Sequence, residues 1–276
     1  MKIKLFTSQN NTSGGGVGFR FVGNVEIKKP ILFGTTVGPN QTVSFMINNR
    51  MLRVASNHEN YFELYSDEPI IGFNASVIKG LKTLDLSNLD TSNITIMNSM
   101  FKSCSSLTSL NLSNFDTSKV VNMFQMFYGC GELTSLGVAN WNVSKVTTMS
   151  DMFHGCSGLT SLNLSEWNTL KVTQMDSMFN NCSGLTSLNL SNFNTSQVAN
   201  MNSIFWFCTD LTFLDLSNWN MSKVTTMSGM FGSCKSLKTI KINDEASANR
   251  LIVQIKEDLS KTAAWNPETK IITIPV

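Results

Sequence analysis

Charge is scarce in this sequence. Only 14% of residues are Asp, Glu, Lys or Arg, and 21 basic against 19 acidic side chains leave a net charge of +2. That balance gives no electrostatic footprint for nucleic acid or an anionic membrane surface. No run of about 18 apolar residues occurs, so no segment reads as a membrane-spanning helix. The N-terminal stretch turns polar before a hydrophobic signal region forms, and no early cysteine offers a lipidation site, so no export signal is predicted. Histidine is limited to His58 and His154. No G-x-S-x-G, phosphate-binding loop, dinucleotide fingerprint or H-E-x-x-H occurs, and the acidic residues scatter rather than pair. These absences predict a non-enzymatic chain without cofactor or metal. With so little charge, the surface has to be built from Ser, Thr and Asn.

What the sequence does have is a period. Its six cysteines stand at 104, 130, 156, 182, 208 and 234, each 26 residues from the last. That spacing marks a tandem array copied without insertion, and 26 falls within the range of leucine-rich repeats. In the copy Leu159–Cys182, Leu162 and Leu164 alternate with Ser161, Asn163 and Ser165, which is strand periodicity. Val172, Met175, Met178 and Phe179 then recur at helical spacing, predicting a short helix of about two to three turns. The 42% hydrophobic content is ample for a core. One column holds Phe101, Phe127, Phe153, Phe179, Phe205 and Phe231, and 11 of the 15 methionines occupy two neighbouring columns. A Met-rich stripe can line a pliable binding groove, but at these positions it reads as core between stacked units. A bulky corner residue (Leu89, Phe115, Trp141, Trp167, Phe193, Trp219) precedes Asp or Asn, from Asp90 onward, suited to an Asx turn. Ser92, Ser118, Ser144, Ser196 and Ser222 then suit helix N-caps, and Leu170 breaks that column.

Metal ligation by Cys104, Cys130, Cys156, Cys182, Cys208 and Cys234 would need clustered ligands, which the even spacing denies. Disulfides are disfavoured because stacked equivalents about 4.8 Å apart with parallel side chains exceed the usual Cβ separation. The cysteines therefore read as a buried ladder of free thiols.

The succession L-x-x-L-x-L, corner aromatic, M-x-x-M-F-x-x-C resembles the BspA-type leucine-rich repeats of bacterial and protist surface proteins, over roughly residues 81–242. The resemblance implies a right-handed strand–helix solenoid, usually exported and used in adhesion or binding. The expected fold class is thus an α/β repeat solenoid, leucine-rich-repeat-like. Residues 1–80, with short alternating runs between Gly14–Gly16, Gly38-Pro39 and a hairpin turn at Asn48-Asn49, read as an all-β module that caps the array and docks it. Residues 243–276 read as a helix–strand cap, its helix spanning 246–264 and its strand 270–275.

Binding is expected on the open sheet face, where Ser109, Asn111, Ser113, Ser161, Asn163, Ser165, Ser187, Asn189, Ser191, Phe213 and Asp215 form a neutral polar ladder. Phe213 stands out there, as does Trp206 in the otherwise mixed column Lys102, Tyr128, His154, Asn180, Gly232. Such a face suits a protein or glycan on a cell or virion surface; a merely solvated sheet is the plain alternative. The leading expectation is a recognition or adhesion protein exposed on a phage particle. A bacterial cell-surface adhesin and a passive scaffold are the alternatives.

Overall fold

A computed structural model describes residues 82–86 and 91–275, together with the strand backbones at 3–8, 20–34, 42–47, 50–55 and 61–74. His58, Leu89, Asp90 and the glycine-rich and Asn48-Asn49 connections lie outside the described residues.

The N-terminal strands are β1 (Ile3–Ser8), β2 (Arg20–Gly34), β3 (Thr42–Ile47), β4 (Arg50–Ala55) and β5 (Tyr61–Asn74). β2 and β5 form a long antiparallel pair with register shifts, and β1 joins the N-terminal half of β5. β3 and β4 pair from Thr42↔Ala55 to Ile47↔Arg50, so the pairing closes around positions 48–49. β6 (Thr83–Asp85) and β7 (Ile94–Ile96) both pair with β2, and β6 pairs in parallel with β8 (Ser109–Asn111). One sheet therefore carries the chain from the N-terminal strands into the repeats.

Within the repeats, equivalent residues lie beside each other. β9 (Ser187–Asn189), β10 (Phe213–Asp215) and β11 (Thr239–Lys241) run parallel, each offset by 26 residues from the next. A second line of parallel bridges links Ile96, Asn122, Thr148, Gln174, Asn200 and Thr226. Copies three and four, at Ser135–Gly137 and Ser161–Asn163, carry no strand of the first line.

The short helices expected from the Met/Phe spacing are replaced by consecutive turns. Hydrogen bonding explains the difference. The N–H groups of Met149, Asp151, Phe153 and Gly155 donate sideways to the next copy, to Gln174 O (2.9 Å), Asp176 O (3.0 Å), Met178 O (2.9 Å) and Asn180 O (2.7 Å). Those of Met152, His154 and Cys156 donate backwards by three residues, to Met149 O, Asp151 O and Phe153 O. A helix would direct all of them along its own axis. Alternation is possible because two columns take the left-handed conformation: Ser99, Gln125, Asp151, Ser177, Ser203 and Gly229 in one, Ser103, Gly129, Gly155, Asn181, Phe207 and Ser233 in the other. Turns closed at i+3 still place Met149, Met152, Phe153 and Cys156 inward, the same stripe a helix would show.

The interior is made of rows. The Phe101–Phe231 column is fully buried, with successive rings stacked at centroid distances from 5.3 to 6.1 Å. Phe115, Trp141, Trp167 and Phe193 form a second row, at 6.1 to 6.5 Å. At the corners the Asx expectation has its counterpart: Asp116, Asn142, Asn168, Asn194 and Asn220 each accept the N–H two residues on through Oδ1. Ser118, Ser144, Ser196 and Ser222 cap no helix; they supply those N–H groups, and Leu170 does so equally well because the donor is backbone.

The C-terminal end covers the last copy. Helix α1 (Glu245–Leu259) starts at the Asp244 N-cap and ends at left-handed Ser260, five residues short of the expected end. It buries Leu251 and Ile255. Asp258 accepts the Phe231 N–H at 2.8 Å, where every earlier copy would find the next copy's carbonyl. Arg250 likewise donates to Met221 O and Val224 O. The closing strand is β13 (Ile271–Thr273), antiparallel to both β11 and β12 (Ala264–Asn266).

Candidate functional site

The predicted sheet-face residues do fall into rows. Ser187, Phe213 and Thr239 are lateral neighbours, as are Asn189, Asp215 and Lys241. Ser109, Asn111, Ser113, Ser161, Asn163, Ser187 and Asn189 are exposed, whereas Ser165, Ser191 and Asp215 are half-buried. Phe213 is half-buried too, so it is not the bare aromatic that its position in the pattern suggested. The side-chain oxygens here are already engaged. Asn111, Asn163, Asn189 and Asp215 accept the N–H of Ser113, Ser165, Ser191 and Ser217 at 3.0–3.1 Å. Lys241 also pairs with Asp215 at 3.4 Å. These side chains hold the bend that follows in the chain, which leaves less of them for a ligand.

The cysteines serve the interior. All six are buried and none is in a disulfide. Cys130, Cys156, Cys182, Cys208 and Cys234 each direct Sγ to the carbonyl of the phenylalanine 29 residues earlier, at 2.9–3.1 Å. For Phe127, Phe153, Phe179 and Phe205 that oxygen also accepts the N–H of the cysteine in its own copy. The thiol fills the second acceptor direction of a buried carbonyl, a role that the sequence spacing alone did not disclose. Burial pushes the Cys130, Cys156, Cys182 and Cys208 thiols well above their ordinary value, and that of Cys234 up to about 12. Thiols so protonated are poor nucleophiles and metal ligands at neutral pH. Among the described residues, no three His, Cys, Asp or Glu side chains converge as a metal site.

Repeat symmetry breaks on a third surface, formed by the turns. Its column begins with Lys102, whose Nζ lies 5.1 Å over the Tyr128 ring and bonds Gln125. Tyr128 stacks on His154 at 4.5 Å, and His154 Nδ1 lies 3.1 Å from Asp151 Oδ1. Two copies on, Trp206 and Phe207 stand side by side at 6.0 Å, 37% and 46% exposed. A concavity of about 510 Å³ opens between them and His154, Asn180, Asn181 and Ser203.

Local sequence explains this site. Trp206 lies against Gly229 and Gly232 of the next copy. A Cβ at Gly229 would overlap the indole, and one at Gly232 would stand 3.0 Å from Cδ2 and 3.1 Å from Cε3. The two glycines thus leave room for an indole seated flat on the backbone. Phe207 takes a left-handed φ of 59°, where the other copies place Ser, Gly, Gly, Asn and Ser. That conformation costs a bulky side chain on the order of 1–3 kcal/mol. The sequence reading singled out Trp206 but missed Phe207, Asn181 and Ser203. The available signal was the departure of Phe207 from a column of small residues.

These observations define a tandem-repeat protein with a bonded interior and, among the described residues, an exposed turn face on which its symmetry breaks. A family described as Mycoplasma protein of unknown function, DUF285, matches residues 73–183 and, overlapping, 131–245, more than half of the chain. The chain belongs to that family. No curated protein and no solved structure matches it. Among the described residues no helix is long and apolar enough to cross a membrane.

Proposed function

We propose that this protein is a non-enzymatic recognition or adhesion protein, with a leucine-rich-repeat solenoid of the BspA type in which turns stand in place of helices. Residues 81–242 form the recognition array, residues 243–276 its cap, and residues 1–80 a β module that docks it to a larger assembly. The array meets a protein or glycan on a cell or virion surface, the setting being an exposed virion component or a cell-surface adhesin.

The observation that carries this reading is Phe207. It adds nothing to the core, it is 46% exposed, and it occupies a strained conformation that five other copies fill with small residues. Strain of that kind persists where an exposed side chain has work to do. One observation favours a scaffold role for the sheet face instead: its Asn oxygens already bond its own backbone. Recognition is therefore assigned to the turn face first.

The test is attachment of beads coated with the purified chain to epithelial and bacterial cells. The double substitution Trp206→Ser and Phe207→Ser abolishes attachment while the melting curve is preserved, and Phe213→Ser leaves it unchanged. Equal attachment by wild type and the double variant, or none by either, refutes the reading.

A further inference from the structure

We propose that the turn-face concavity is a carbohydrate subsite in which a neutral pyranose stacks on the Trp206 indole; this deepens, and rests on, the recognition reading above. The argument begins with the indole. Three of its ring atoms lie within 3.4 Å of where a Cβ at Gly232 would be, so one face rests on the next copy's backbone. The residue is still 37% exposed and lines the concavity with Asn180 of the preceding copy. A flat aromatic surface fixed from behind and open in front complements the C–H face of a sugar ring, because the π face carries partial negative charge and the C–H groups partial positive. Phe207, tilted 34° to the indole, walls one side.

Polar groups at the rim point the same way. Among the described residues none bonds the side chains of Asn180, Asn181 or Ser203, whereas Asn111, Asn122, Asn142, Asn163, Asn189, Asn194 and Asn200 all cap their own backbone. Asn180 and Asn181 thus keep both amide donors and the acceptor for a ligand beside the aromatic platform. Each amide offers two donors and an acceptor, and the hydroxyl offers both roles, which suits adjacent sugar hydroxyls. No Lys, Arg, Asp or Glu lines the concavity, so a phosphate or a carboxylate-bearing ligand finds no counter-ion there. The volume lies within the range of ligand sites but the site is open, so single-sugar affinity falls in the roughly millimolar range and useful attachment comes from multivalent display.

The full chain is titrated with methyl β-D-galactopyranoside, methyl β-D-glucopyranoside, methyl α-D-mannopyranoside and methyl N-acetyl-β-D-glucosaminide. Tryptophan fluorescence and saturation-transfer NMR are the readouts. Trp141, Trp167 and Trp219 are buried and Trp265 is half-buried, so a ligand-dependent change reports mainly on Trp206. At least one sugar saturates both signals; in saturation-transfer NMR, which does not depend on the indole as reporter, Trp206→Ala weakens binding about tenfold or more and Asn181→Ala severalfold, and Phe213→Ala leaves both readouts unchanged. Trp206 is exposed, and matching melting curves establish that these variants fold. No response to any of the sugars up to about 100 mM, or equal binding by Trp206→Ala, overturns the proposal. If beads still attach to cells through Trp206 and Phe207 while no sugar binds or competes, the carbohydrate assignment falls and the recognition reading stands. If neither sugars nor cells depend on this face, both fall.

Discussion

Replacing Phe153 by alanine perturbs the interior where the account is most specific. The ring is fully buried, lying between Phe127 at 5.6 Å and Phe179 at 5.7 Å, nearly parallel to both, with Trp167 tilted against it at 6.3 Å. Alanine keeps every backbone bond at this position: the N–H to Met178 O, and the carbonyl that accepts both Cys156 N–H and Cys182 Sγ. Only the ring is removed. The flanking copies are pinned to each other by sideways backbone bonds, so the gap cannot close by collapse, and the cost is about 3–5 kcal/mol. Phe231 at the end of the row has one ring of its own column beside it, Phe205 at 6.1 Å. Its alanine variant should cost less, by about 0.5–1.5 kcal/mol for the missing aromatic pair. Urea unfolding followed by tryptophan fluorescence measures both. Hydrogen exchange around position 153 checks whether the array still unfolds as one unit. A cost for Phe153→Ala below about 1 kcal/mol, the range of an exposed substitution such as Val121→Ala, would refute the stacked-row interior.

Alkaline pH should weaken the fold through the thiols. Their native values are raised above the unfolded value of about 8.5, so above that pH the unfolded chain binds fewer protons than the native one and stability falls as pH rises. Each of Cys130, Cys156, Cys182, Cys208 and Cys234 contributes up to about 1.4 kcal/mol per pH unit, seen as a falling urea midpoint between about pH 8.5 and 10. Cys156→Ala should flatten that slope by one share, and a flat midpoint would contradict the buried ladder. Asp258→Ala strands the buried Phe231 N–H and should cost about 1–3 kcal/mol in the same assay, while Asp258→Asn, which keeps an acceptor, retains most of the stability. Gly229→Ala puts a methyl group where the indole lies. It should displace Trp206 and shift its fluorescence toward that of a fully solvated indole, with little change in the far-ultraviolet circular dichroism.

The period, the buried columns and the Asx corners were legible because each is written as a residue type at a fixed interval. The turns were not. Met149, Met152, Phe153 and Cys156 have the same spacing whether N–H groups run along a helix or alternate between local turns and the neighbouring copy. Apolar periodicity records which side chains face inward and says nothing about where the backbone bonds go. The clue lay in the small and polar residues of the two left-handed columns, such as Ser99, Ser177, Gly129 and Gly155, which a continuous helix would not require. On the sheet face, Asn163 and Asn189 looked free because alternation marks exposure and cannot reveal a bond to the N–H two residues on. Phe207 escaped notice because its column, lying between the Trp206 column and the cysteines, was not compared across copies, although the departure is plain once that column is aligned as a left-handed position.

Side-by-side stacking of equivalent copies is tested most directly by changing the number of copies. Removing residues 157–182 joins Cys156 to Ser183 and takes out one 26-residue period with every column preserved. That variant should unfold cooperatively, protect its five remaining thiols from alkylation in the native state, and be shorter by about 5 Å in small-angle scattering. Removing residues 157–169, half a period, should leave an aggregating chain with reactive thiols. If the two deletions behave alike, both folded or both unfolded, equivalent residues are not held in rows.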